Sequence, residues 1–127
     1  MMEKNQIFEN IMSRTSVRSY TDMPPLAIVV CRCLDKTLTE QEFWIQDCSA
    51  ATENILLMAH GLGLGGVWTA LYPLKERYEG MQQLLHLPKT MIPLNALIIG
   101  YPKNQAEAKD KWKEENISYN KWMEKNS

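Results

Sequence analysis

Little in this 127-residue chain points to metal, disulfide or side-chain acid–base chemistry. It holds three cysteines, Cys31, Cys33 and Cys48, and an odd count does not suggest a disulfide framework. Cys31 and Cys33 form CxC rather than CxxC; in a strand they share one face and read as ordinary apolar packing. His60 and His86 are too few, and too poorly placed beside the cysteines, for a zinc site, so no metal is expected. No GxSxG, HExxH or P-loop occurs, and no Ser-His-Asp spacing stands out. No apolar run approaches the length of a bilayer span, and the first twenty residues lack the continuous apolar core of a signal peptide. The expectation is a cytoplasmic protein with no membrane contact. Fourteen basic side chains against fifteen acidic ones leave a net charge of -1, which argues against a nucleic-acid partner.

What is present is an ordinary globular composition, 45% hydrophobic and 23% charged, in a length that suits one domain. Ile7, Ile11 and Met12, with Phe8 beside them, recur at helical spacing, and Asn5 or Asn10 is the cap. The pattern fails at 14–20, and 21–25 is a turn or an extended connection. Leu26–Cys33, LAIVVCRC, is the clearest strand, expected to be central and covered on both faces. Residues 35–39 read as a loop. Thr39 with Glu42 fits a capping box opening a long helix over about 40–60. Within it, Trp44, Cys48, Ala51, Ile55, Met58 and Leu62 repeat at i+3 and i+4, flanked by Ile45, Thr52, Leu56 and Ala59. So wide an apolar arc predicts a mostly buried helix. Its thin middle, Ser49-Ala50-Ala51, permits close approach by a second helix, one from a partner subunit included.

A strand-like piece over 67–72, a short helix over 74–87 and a second clear strand over 94–101 follow. The short helix has Tyr78, Met81, Leu84 and Leu85 on one face. From 103 to 125 the chain is rich in lysine and glutamate, by composition a solvated helix followed by a tail. Yet Trp112, Ile117, Tyr119, Trp122 and Met123 are costly to leave in water, so this stretch is expected to pack on its own body or on a second subunit. The order of elements gives an α/β or α+β layer arrangement with few strands, whose edges favour a dimer.

Four of the six glycines fall in Gly61-Leu62-Gly63-Leu64-Gly65-Gly66. The string matches GxGxxG in form, but a helix rather than a strand precedes it. It reads as a helix exit and a turn with left-handed positions. Glu53-Asn54, inside the long helix, is either a functional pair or a structural polar network at an interface. Arg14 and Arg18 flank Ser16, and Lys109, Lys111 and Lys113 lie near the C-terminus. These are either solvated charge or, brought together, a phosphate clamp. A clamp without an acid–base set suits a cofactor that carries its own chemistry.

Several strings together give a resemblance: IMSRTSVRSY at 11–20, WIQDCSAATENILL at 44–57, GLGGVW at 63–68 running on to Tyr72-Pro73, Leu87-Pro88, IGYP at 99–102, and KDK at 109–111 before Tyr119 and Trp122. In this order they resemble the nitroreductase family of FMN-dependent NAD(P)H oxidoreductases. The resemblance implies a reduced three-layer α/β/α sandwich, α+β in class, with a small, mostly antiparallel sheet and a long interface helix. It implies a single domain over 1–127, with a C-terminal arm from about 103 to 127 that embraces the partner of an intertwined homodimer. FMN would lie at the dimer interface. Arg14 and Ser16, with the Thr15 backbone between them, would hold its phosphate and ribityl end, with Arg18 as a neighbouring stabiliser. Trp68, Thr69, Ala70 and Leu71 would run along the isoalloxazine, and Lys109 and Lys111 match the positive pair that reaches the phosphate.

The chain departs from the family pattern at three places. Ala70 and Leu71 stand where a glycine is frequent, and Lys111 stands where arginine is usual. Between Met23 and Leu26 it lacks a long internal segment carrying a strand and Asn and Gln contacts to the flavin. The activity implied is hydride transfer from NAD(P)H to a nitroaromatic or quinone-like acceptor, with no catalytic side chain. The alternative is a degenerate dimeric flavin-binding or non-catalytic nitroreductase-like protein with an impaired cofactor site.

Overall fold

The computed structural model describes residues 5–33, 43–104 and 107–122. The loop at 35–39, the capping box of Thr39 and Glu42, and Met123 lie outside the described residues.

Helix α1, Gln6–Ser13, starts at Asn5, whose side-chain oxygen accepts from the Ile7 N–H at 2.8 Å. That satisfies one orphan amide of the first turn. At Arg14 the backbone turns extended, with φ -60° and ψ 132°, so the helix stops where the apolar periodicity stops. Strand β1 is Leu26–Cys33, helix α2 is Phe43–Gly61, strand β2 is Gly65–Ala70, helix α3 is Lys75–Leu84 and strand β3 is Met91–Gly100. The described strands form one antiparallel sheet in the order β1-β3-β2. This is the mixed α/β architecture of a reduced α/β/α sandwich, in line with the expectation from sequence. No helix among the described residues is long and apolar enough to cross a membrane.

The central strand is β3, not β1. Leu97 is fully buried and Leu94, Ala96 and Ile99 nearly so, whereas among the described residues β1 pairs with β3 alone and leaves Leu26 half exposed. An apolar run reports shelter of the two faces; it does not report the number of ladder neighbours. Strand β3 also begins earlier than its sequence suggests, because it runs through Pro93. The β1 register steps from Val30 opposite Asn95 to Cys31 opposite Pro93, leaving Leu94 as the extra residue. A bulge of this kind is where a strand accommodates proline.

Helix α2 lies on the sheet by one stripe. Trp44, Thr52, Leu56 and Ala59 are buried, and Leu56 and Ala59 form the core with Leu97 and Ile99. The helix is therefore not mostly buried: Ala51 and Met58, from the first apolar line, are exposed, as is Leu62 just past its end. A single sheet covers only one side of a helix, and that side takes Thr52, Leu56 and Ala59 from the flanking line with Trp44 from the first. In the hidden stripe, Asn95 Nδ2 donates to Thr52 Oγ1 at 2.8 Å, and the Thr52 hydroxyl donates its own proton to the Cys48 carbonyl at 2.7 Å.

Helix α3 is shorter than expected, and Leu84 and Leu85 face solvent. Its inward side is Tyr78, Met81 and Gln82, the last donating to the Met91 carbonyl at 2.9 Å. Tyr78 and Trp44 both pack on Tyr72, with ring centroids 5.7 and 4.9 Å apart. The stretch after Lys103 forms no regular helix among its described residues, only a single 3-10 turn at Glu114–Asn116. Trp112, Tyr119 and Trp122 are 60, 75 and 82% exposed, so the body of the chain does not cover them.

Candidate functional site

The site grows from the end of α1. Residues 14–17 run extended beside β2, where the Val17 N–H donates to the Gly66 carbonyl at 3.1 Å. Gly65 permits this approach: a Cβ there would lie 2.7 Å from Val17 Cβ. Its neighbour Gly63 takes φ +80°, the left-handed turn expected at the helix exit. Tyr20 secures the far end, its hydroxyl 2.7 Å from the Val17 carbonyl and 3.0 Å from that of Ile98. Burial raises the Tyr20 phenol, an effect Arg18 opposes, so it stays a neutral donor.

Strand β2 presents an edge to this segment. Leu71 N–H donates to the Leu94 carbonyl, which continues the β2–β3 register and fixes which residues turn inward. Main-chain groups alternate along an antiparallel strand, so those of Gly66, Trp68 and Ala70 face outward, on the side that Val17 joins. Trp68 is about one-third exposed, Thr69 and Ala70 are exposed, and Leu71 is buried.

Arg14 is held in place from two directions. Its Nε lies 3.3 Å from the Glu53 carboxylate on α2. From the C-terminal segment, the Lys111 ammonium donates to the carbonyls of Ile11, at 2.7 Å, and of Arg14 itself. A cation on the last carbonyls of a helix is favourable, because those carbonyls carry the negative end of its dipole. Asn10 Nδ2 donates to the Leu57 carbonyl at 2.8 Å, and Ser13 Oγ lies 2.8 Å from His60 Nε2, so polar contacts tie α1 to α2.

The electrostatics of this corner are unbalanced. Partial desolvation and the neighbouring Arg14 guanidinium hold the Lys111 ammonium below the usual lysine range, while Glu53 opposes them. His60 is held below the ordinary histidine range by burial first, then by Arg14 and Lys111. Arg14 Nη1 is buried and has no hydrogen-bond partner among the described residues. Two crowded cations with an unused buried donor suit a dianionic ligand, which relieves the repulsion and satisfies the donor. A phosphate ester fits that donor set.

The structure brings Arg14 and Lys111 together, and joins the 14–17 segment to the edge carrying Trp68 and Ala70. Thr15 lines a cavity with Ser13 and His60. Lys109 is exposed in a cleft with Phe8, Glu9 and Met12; of the two lysines, Lys111 is the one that grips the Arg14 main chain. Sequence reasoning singles out Glu53 but not as the partner of Arg14, and it gives His60 no role. The spacing of Glu53, Leu57 and His60, four and three residues apart, is the available signal for one helix face meeting α1. The three cysteines are half-buried and outside any disulfide among the described residues, and burial pushes the Cys31 and Cys48 thiols up. Among the described residues no cluster could hold a metal ion.

The Nitroreductase family model matches residues 25–101. A Methanothermobacter thermautotrophicus protein, whose name pairs NADH dehydrogenase with NAD(P)H nitroreductase, is 44% identical over 99 residues, 77% of this chain and 51% of that protein. A similarly named Archaeoglobus fulgidus protein is 41% identical over 99 residues, 76% of this chain and 57% of the relative. The chain thus spans about half the length of these relatives. A crystal structure of a similarly named Parabacteroides distasonis protein superposes with a TM-score of 0.84 at 30% identity, covering 94% of this chain and all of that one. The chain belongs to the nitroreductase family.

Proposed function

We propose that the protein is an FMN-dependent oxidoreductase that passes hydride from NAD(P)H to a nitroaromatic or quinone-like acceptor. The observation that carries this reading is the buried, unpartnered Arg14 Nη1 beside Lys111. Arg14 and Lys111 would hold the phosphate, with Ser16 and the Thr15 backbone toward the ribityl chain and Lys109 adding charge at longer range. Trp68, Thr69, Ala70 and Leu71 would run along the flavin ring. The outward N–H groups of Trp68 and Ala70 are the chain's own donors there. When bound, FMN supplies the hydride chemistry; the protein supplies position and charge. Glu53 keeps Arg14 aimed, and Lys111 fixes the main chain from which it projects.

The protein acts as a homodimer in this reading. Met58 on α2 and Leu62 just past its end, 65 and 69% open to solvent, and the uncovered Trp112, Tyr119 and Trp122 support a partner copy over them. Residues 1–127 then form one nitroreductase-like domain whose arm, from about 103, reaches across.

A second reading, a dimeric flavin binder without turnover, draws support from the exposure of Thr69 and Ala70, because a poorly enclosed ring is poorly oriented. Purified protein titrated with FMN tests the common part: bound flavin quenches or changes its absorbance, and failure to bind sinks both readings. NADH and NADPH oxidation with a quinone then separates them. Mass in solution tests the dimer, and a stable monomer contradicts it.

A further inference from the structure

His60 sits at the corner where α1 ends, and the flavin-binding reading gives it nothing to do. Its Nε2 lies 2.8 Å from Ser13 Oγ. Ser13 Oγ also lies 2.7 Å from the Glu9 carbonyl, which can only accept, so the single serine proton goes there. His60 therefore donates to Ser13 through Nε2–H, and Nδ1 is the nitrogen left to take up a proton. The contact survives that protonation, because Nε2 carries hydrogen in both states. Ser13 immediately precedes Arg14, and the same turn of α1 receives the Lys111 ammonium on the Ile11 and Arg14 carbonyls. His60, Ser13 and Thr15 also share the wall of a cavity of about 550 Å³.

We propose that His60 is a positioning residue of the phosphate-binding corner: it holds the last turn of α1 through Ser13 and takes up a proton when a phosphate ester docks on Arg14 and Lys111. The inference rests on the reading of this corner as the FMN phosphate site. Among the described residues the charged groups near His60 are few. The segment after α1 brings Arg14, and α1 itself brings neutral Ser13 and Asn10, with Glu9 a turn back. The C-terminal segment brings Lys111 and Glu107, and α2 brings Glu53, already paired with Arg14. In the free protein, burial first and then the two cations disfavour the protonated form of His60. An anion on those cations offsets their repulsion, and linkage then makes anion binding and proton uptake favour one another.

The chain has only two histidines, so proton NMR of their ring Cε1–H signals is a direct test. His60→Gln identifies the His60 signal, and His86 is the internal reference. Saturation with FMN is expected to raise the pH at which His60 is half protonated by roughly 0.5 or more, with riboflavin, which lacks the phosphate, moving it far less. Because this measurement uses the unaltered protein, it does not depend on a variant folding. As a second readout, FMN affinity is followed from about pH 7.5 to 5.5 in the native protein and in His60→Gln, which keeps a donor for Ser13 but cannot titrate. Both share the phosphate's own titration, so the difference between profiles belongs to His60. Native affinity should gain on the variant by roughly threefold as pH falls, the ratio that matches a midpoint raised by about 0.5. Parallel profiles, or an unmoved His60 signal in protein saturated with FMN, overturn the role of His60 and leave the flavin reading standing. Failure to bind FMN at any pH overturns both.

Discussion

Lys111 donates its ammonium to the main-chain carbonyl of Arg14, a residue 97 positions earlier in the sequence. The contact closes the site: the C-terminal segment fixes the turn from which the guanidinium projects, while Glu53 fixes the guanidinium itself. Lys111→Met should therefore weaken FMN binding by about tenfold to a hundredfold, from the roughly 1.5–3 kcal/mol typical of hydrogen bonds to charged groups. Riboflavin binding should change far less. Parallel titrations with the two flavins check this.

Gly65 is the second dependency. A Cβ there meets Val17 at 2.7 Å, closer than packed side chains tolerate. Gly65→Ala should push the 14–17 segment off β2 and reduce FMN affinity severalfold, with lowered thermal stability. Gly80→Ala is the contrast. A Cβ at Gly80, inside α3, meets nothing within 4 Å, so this change should stabilise by about 0.5–1 kcal/mol.

The buried pair under α2 makes a prediction independent of any ligand. Asn95 and Thr52 are fully buried, and Asn95 Oδ1 already lacks a partner among the described residues. Thr52→Val removes the acceptor for Asn95 Nδ2 and should cost about 1–3 kcal/mol in urea unfolding. Thr52→Val with Asn95→Leu should cost less than the sum of the two single changes, because no polar atom is then left stranded.

These positions also mark how far the sequence can be read. Periodicity places α1, α2, β1 and β3, since apolar spacing is a local property that folding preserves. It misjudges the middle of the sheet, because strand order depends on pairings between distant segments. Pro93 looks like punctuation in the sequence, but a bulge opposite Cys31 absorbs it. On α2 both apolar lines are visible, yet only packing against β3 decides which is covered. In the site, Arg14 and Lys111 stand out through motif strings. The Arg14–Glu53 and Ser13–His60 contacts do not, because each joins residues about 40 or more apart with no motif to announce them.

Acid should destabilise the protein through His60. Burial, Arg14 and Lys111 hold its folded-state value below the ordinary histidine range, so the unfolded chain takes the proton first as pH falls. This contribution is complete above about pH 6.5 and is lost progressively below it, until folded His60 is protonated too. Urea midpoints measured across this window should fall in the native protein and fall less in His60→Gln.

The central claim is that Arg14, with its buried idle donor, receives the phosphate of FMN. The direct measurement is the dissociation constant of FMN and of riboflavin, side by side, for the native protein and for Arg14→Ala. The account predicts a loss of about tenfold or more for FMN, from the roughly 1.5–3 kcal/mol of a charge-assisted bond, with riboflavin nearly unchanged. Equal FMN affinity in the two proteins, both shown to be folded, would contradict it.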